Sequence, residues 1–119
     1  VQKAVVAALK GSQQCVEEMR QEYIRLRDHV VKGLRSIPGI KCTMPEGAFY
    51  AYPNISSFIG HKGIGSASDL AGRLLRESHV ATVPGEGFGT REHIRVSYAT
   101  TIAELDRGLE RMRKFLSSL

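Results

Sequence analysis

Apolar residues recur at Val16, Met19, Tyr23, Leu26, Val30 and Leu34, in steps of three, four, three, four and four. That spacing draws one stripe along a helix and predicts a long α-helix over about Gln13–Ser36. Glu17 and Glu18 in its first turn, with Lys32 and Arg35 in its last, complement the helix dipole. Pro38-Gly39 ends it. Before it, the Ala- and Val-rich stretch Val1–Leu9 predicts another helix, broken at Gly11, with Ser12 placed to cap the next one. So narrow a stripe on so long a helix leaves much of its surface for water or for another domain.

The pattern then changes to a period of two. Ile40–Met44 predicts a strand, Pro45-Glu46-Gly47 a turn, and aromatic Ala48–Tyr52 the returning strand, ended by Pro53. Together they predict a hairpin. Asn54–Ser68 has no period and predicts a mobile surface loop. Ser66 and Asp69 form a capping box for a helix to about Ser78, with Leu70, Leu74 and Leu75 inward. Val80–Val83 predicts a strand closed by Pro84. In the strand that follows from Ile94, alternation sends Ile94, Val96 and Tyr98 one way and Arg95, Ser97 and Ala99 the other. Thr101 and Glu104 cap a last helix whose stripe is Ile102, Leu105, Leu109, Met112 and Leu116. The sum is an α+β domain, a small mostly antiparallel sheet covered by helices. Residues 1–36 form its long helical segment and residues 37–119 its sheet-and-helix body.

The chain has 119 residues, enough for one domain with a real core. Hydrophobic residues make up 42% and charged residues 24%, an ordinary soluble composition. No apolar run approaches membrane-spanning length and no signal peptide is visible, so a cytoplasmic protein with no membrane partner is expected. The net charge of +5 raises the question of an anionic partner. The basic residues, however, alternate with acids, as in Glu17-Glu18-Met19-Arg20 and Glu110-Arg111-Met112-Arg113. That is the pattern of solvated helix faces and argues against nucleic acid. Cys15 and Cys42 form no CxxC pair, and His29, His61, His79 and His93 are scattered. Both cysteines are expected to be reduced and structural, and no metal is expected. The chain starts inside a helix without an initiator Met, which predicts a piece of something longer.

The candidate chemistry lies in Val83–Ala99. Gly85-Glu86-Gly87-Phe88-Gly89 has GxGxG spacing, not GxGxxG, and a strand follows it rather than a helix. Dinucleotide binding is excluded on both counts, and a flexible turn with left-handed glycines is expected. Gly60–Gly65 lacks the spacing of a phosphate-binding loop. An arginine amid a short apolar strand needs an anion or a polar neighbour, because an unpaired buried guanidinium is costly. Arg95 therefore reads either as half of an internal ion pair or as the holder of a carboxylate, whose two oxygens its planar fork matches.

Pro45-Glu46-Gly47-Ala48-Phe49-Tyr50, and Pro84-Gly85 through Ala99, resemble the class I/II aminotransferases, pyridoxal-phosphate enzymes of the aspartate aminotransferase fold type. The likeness is greatest to aspartate aminotransferases of the bacterial kind, and it covers the whole chain as the carboxy-terminal third, the small domain, of such an enzyme. It implies that Arg95 binds the α-carboxylate of the substrate. It also puts Gly85, Phe88 and Gly47 near the substrate as weaker candidates, while Phe49 and Tyr50 are expected in the core. The cofactor implied is pyridoxal 5'-phosphate, joined to a lysine of an upstream large domain. None of Lys3, Lys10, Lys32, Lys41, Lys62 and Lys114 lies in the family's Ser-x-x-Lys context. The chain is thus expected to hold no catalytic residue and to be inactive alone. The whole enzyme would be a homodimer acting on an amino acid and a 2-oxo acid, of aspartate type. The rival reading is a stand-alone regulatory module that binds small carboxylates through Arg95.

Overall fold

A computed structural model describes all of residues 1–119. Its helices are α1 (Gln2–Lys10), α2 (Gln14–Arg35), α3 (Ala67–Ser78) and α4 (Ile102–Ser117), and its strands are β1 (Tyr50–Ala51), β2 (Val83–Pro84) and β3 (Ile94–Ser97). Short 3-10 turns occupy Ser56–Phe58 and Gly85–Phe88. The sheet has the order β1-β3-β2 and is antiparallel throughout, with β3 at its centre. The helix-covered antiparallel sheet expected from the pattern is present.

One core lies between the sheet and the helices. Leu34, Ile55, Leu70, Leu74 and Ile94 are fully buried there. Truncating such a residue to alanine costs roughly 2–5 kcal/mol, so this cluster dominates stability. Helices α2 and α4 approach closely at Gly33, where an added Cβ would overlap the Leu109 side chain. The two capping boxes form as expected, whereas the N-cap of α2 is Gln13, without a side-chain cap bond, and not Ser12. The Ser66 hydroxyl accepts from the Asp69 N–H at 3.1 Å, and that of Thr101 from the Glu104 N–H at 3.3 Å.

Several expectations are corrected. Only the second half of the α2 stripe is buried, through Leu26, Val30, Val31 and Leu34. Val16 and Met19 are more than half exposed, and α1 buries no residue at all. The molecule accordingly extends 56 Å along one axis and 26 and 24 Å across, with a helical arm projecting from the body. Ile40–Met44 is not a strand. Its alternation records one buried face, at Ile40 and Cys42, on an extended segment that keeps a single bridge from Lys41 to Asn54. The chain turns away at Ala48 (φ 58°), and β1 pairs with β3 instead of closing a hairpin. Asn54–Ser68 is no surface loop, because Ile55, Phe58 and Ile64 enter the core. Leu75 is exposed, being a helix step round from buried Leu74, and Phe115 of α4 joins the core.

The interleaved charges sit in exposed pairs one helical turn apart, such as Arg20–Glu17, Arg25–Glu22 and Arg73–Glu77. The Arg20 guanidinium, with help from Gln21, draws the Glu17 carboxyl down to about 2. No helix is long and apolar enough to cross a membrane.

Candidate functional site

The site is built on the outer face of β3. Ile94 is buried on the inner face, and alternation puts Arg95 on the other. Register then supplies Arg95 with a neighbour. Tyr50 lies directly opposite Ser97, so Tyr50, Ser97 and Arg95 share a face, and Tyr50 is the diagonal neighbour of Arg95. The guanidinium carbon lies 4.3 Å from the centroid of the Tyr50 ring. From the other side of the sequence, Phe88 brings its ring to 4.6 Å. Each cation–π contact contributes about 0.5–2 kcal/mol, so the two rings hold the guanidinium without neutralising it.

Neutralisation is what Arg95 lacks. None of the seven ion pairs in the molecule includes it. Its Nε is buried with no hydrogen-bond partner. The internal ion pair is therefore not formed. The four buried side-chain atoms left without a partner are Thr82 Oγ1, Glu86 Oε2, His93 Nδ1 and Arg95 Nε. All fall between residues 82 and 95, whereas the rest of the fold satisfies its buried polar side chains. Unmet hydrogen-bonding capacity of this kind calls for a specific explanation, and its confinement to one stretch marks that stretch out.

The loop that carries Phe88 is held at its base. β2 pairs with β3 through Val83 opposite Arg95 and Pro84 opposite Ile94. The Gly85 N–H donates to His93 O at 2.8 Å, and the Thr90 N–H donates to Gly85 O at 3.0 Å. A Cβ at position 85 would lie 2.6 Å from His93 O and 2.7 Å from Thr90 O, so only glycine fits. Tyr52 stacks on His93 with centroids 4.9 Å apart, and its hydroxyl lies 2.6 Å from Thr90 Oγ1. Gly89 is left-handed at φ 83°, but Gly85 and Gly87 are not. The glycine-rich stretch thus folds as a 3-10 turn ending in one left-handed glycine, not as a run of left-handed glycines. Glu86 extends from it to α3, where its Oε1 accepts the Ser68 N–H at 3.1 Å. Burial pushes the Glu86 carboxyl up, but the N–H groups of Glu86 itself, Ser68 and Ala67, with the Ser68 hydroxyl, outweigh it. The net result lies below the ordinary carboxylate value.

Of the residues singled out in the sequence, Arg95, Phe88 and Gly85 are brought together. Gly47 is not among them. It lines a different groove, of about 460 Å³, with Arg20, Tyr23, Arg27 and Tyr98. Phe49 is more than a third exposed and stacks on Tyr23, and half-buried Tyr50 is the platform for Arg95. Neither is a core aromatic. Tyr50, Tyr52, Glu86 and His93 were missed as a group because contacts between distant stretches, not local pattern, assemble them.

Residues for a covalently held cofactor are not part of this assembly. All six lysines are exposed, and the side-chain partners of lysines in the structure lie away from Arg95, Tyr50 and Phe88. Lys114 pairs with Glu110, and Lys62 donates to the Ser118 carbonyl. The donor set therefore does not fit pyridoxal phosphate, although it fits a carboxylate. Of the cysteines, Cys42 is buried, which pushes its thiol up, but Cys15 is exposed on the helical arm.

Comparison with known proteins gives a consistent family. The family model for aminotransferase class I and II matches residues 1–112. An aspartate aminotransferase of Geobacillus stearothermophilus is 38% identical over 117 residues, covering 98% of this chain. The crystal structure of the aspartate aminotransferase of Rhizobium meliloti superposes with a TM-score of 0.91 at 40% identity, covering 96% of this chain and 30% of that one. An alanine aminotransferase of Pyrococcus furiosus superposes almost as well, at 0.89 with 31% identity over 98% of this chain and 29% of its own. The chain spans about 30% of the length of the curated relatives it matches.

Proposed function

The chain belongs to the class I and II aminotransferases, and we propose that it supplies the arm that grips the substrate's α-carboxylate in a pyridoxal-phosphate-dependent transaminase. The carrying observation is Arg95: a guanidinium held between Tyr50 and Phe88, in no ion pair, with a buried Nε that lacks an acceptor. A carboxylate is the planar, doubly accepting anion that completes such a group. Amino acids and 2-oxo acids both carry one beside the reacting carbon. A single anchor therefore serves both halves of an amino-group exchange, and it fixes the reacting carbon in orientation.

No residue of this chain is assigned a chemical step. The cofactor is proposed to be held by a larger domain of the same polypeptide, the portion of the relatives that this chain does not span. The projecting arm supports that arrangement. Val5, Val6, Leu9, Val16 and Met19 are each at least half exposed along α1 and the first half of α2, an apolar face suited to cover by another domain. A homodimer is retained as the assembly of the whole enzyme. The named relatives favour aspartate as donor, but the alanine enzyme shares the fold nearly as closely, so donor choice rests with residues other than this anchor. The stand-alone carboxylate-binding module has no observation in its favour.

The test is turnover. The full-length polypeptide loaded with pyridoxal phosphate transfers an amino group to a 2-oxo acid, and the purified 119-residue chain does not. Turnover by the short chain would sink the assignment.

A further inference from the structure

The anchor's second ring, Phe88, sits at the tip of a loop whose base is pinned by Gly85, Thr90, Tyr52 and His93. The tip itself is half exposed at Phe88, and Gly87 has nothing within 4 Å of where a Cβ would stand. One side-chain hydrogen bond joins the tip to another element of the fold. It runs from the Ser68 N–H, in the first turn of α3, to Glu86 Oε1 at 3.1 Å. That N–H is one of the donors every helix leaves free at its start, and the helix dipole favours a negative charge there. Ser66 already satisfies the Asp69 N–H, so Glu86 completes a cap from outside the helix.

We infer that Glu86 is a positioning residue for the carboxylate anchor. Its carboxylate latches the loop tip to the start of α3 and so keeps the Phe88 ring over Arg95. Nothing joins Glu86 to Arg95 directly. The effect passes along the 3-10 turn Gly85–Phe88, in which Glu86 and Phe88 are two residues apart. Without the latch the tip keeps only its own backbone bonds and the edge contact of Phe88 with Tyr52, so the Phe88 ring is held less firmly over the guanidinium and the fork is less well set for a carboxylate. Preorganisation of this kind shows in ligand affinity, beyond what the cap itself contributes to stability. The inference rests on Arg95 being the carboxylate anchor.

The experiment uses the full-length polypeptide and succinate, a carboxylate with no amino group to exchange, titrated by calorimetry. Glu86→Ala is expected to weaken succinate about tenfold, the scale of one hydrogen bond to a charged group. Glu86→Gln keeps an oxygen for the Ser68 N–H and is expected to stay within about threefold of the parent, since a neutral acceptor retains part of that bond. In an Arg95→Ala background, Glu86→Ala is expected to add nothing. Parent-like binding by Glu86→Ala, equal losses for the alanine and glutamine variants, or full additivity with Arg95→Ala would each overturn the latch. Parent-like binding by Arg95→Ala alone would instead overturn the anchor on which the latch rests.

Discussion

The guanidinium carbon of Arg95 lies 4.6 Å from the centroid of the Phe88 ring, so the glycine-rich loop and the strand after it meet at one cation. The relationship explains why the glycines and the arginine occur together. The loop must fold back tightly at Gly85 for Phe88 to reach the strand that carries Arg95.

Removing the cation should reveal its ligand. Arg95→Ala in the full-length enzyme is expected to raise KM for both the amino acid and the 2-oxo acid. The lost charged hydrogen bonds are worth about 1.5–3 kcal/mol, or roughly 10- to 150-fold in kcat/KM, before any loss from misorientation. Arg95→Lys should recover only part of this, because a point charge lacks the fork. Steady-state kinetics with each substrate varied in turn provides the check.

The two rings are separable from the cation. Tyr50→Leu and Phe88→Leu should each weaken carboxylate binding by about 0.5–2 kcal/mol, since each removes one cation–π face. Tyr50→Phe keeps the face and should be close to neutral. Equal losses for Tyr50→Phe and Tyr50→Leu would show that the hydroxyl, not the ring, matters.

The glycines divide by what surrounds them. At Gly85 an added methyl lies 2.6 Å from His93 O and from Thr90 Oγ1, so Gly85→Ala should destabilise the fold by about 1–3 kcal/mol through overpacking. Gly87 has open space and an ordinary φ, so Gly87→Ala should be near neutral or slightly stabilising. Thermal denaturation of both variants decides the point.

Acid should weaken the latch. The Glu86 carboxyl lies below its ordinary value of 4.5 in the folded state. Its stabilising effect is therefore fully present above that value and is lost as pH falls through the lowered one. Two sets of groups face it: its own N–H with the Ser68 and Ala67 N–H groups and the Ser68 hydroxyl on α3, and Arg91 and Glu92 across the shared groove. The difference in Tm between the parent and Glu86→Gln should be constant near neutrality, shrink below pH 4.5, and disappear once the parent carboxyl is protonated.

What the sequence disclosed follows from the range of the forces concerned. Both capping boxes, the ends of the helices and the burial of Leu34 and Leu74 depend on neighbours within a turn or two, and were legible. So was the outward direction of Arg95, which needs only the alternation of one strand. The pairing partner of Tyr50–Ala51 was not legible. Pro45-Glu46-Gly47 resembles a hairpin turn, and nothing local reveals that the chain reverses at Ala48 to reach β3. Because Tyr50 meets Arg95 only through that long-range register, its role was lost with it. Asn54–Ser68 misled in another way, because its core residues Ile55, Phe58 and Ile64 are spaced by turns and not by a helix or strand period.

The most direct test of the central claim pairs the Arg95 substitution with removal of its supposed ligand. Binding to the full-length enzyme is measured for an amino acid and for the matching amine without the α-carboxylate, in the parent and in Arg95→Ala. If Arg95 grips that carboxylate, the substitution weakens the amino acid by about 10- to 150-fold and leaves the amine unchanged, so the parent's preference for the acid collapses. Equal weakening of both compounds, or of neither, would contradict it.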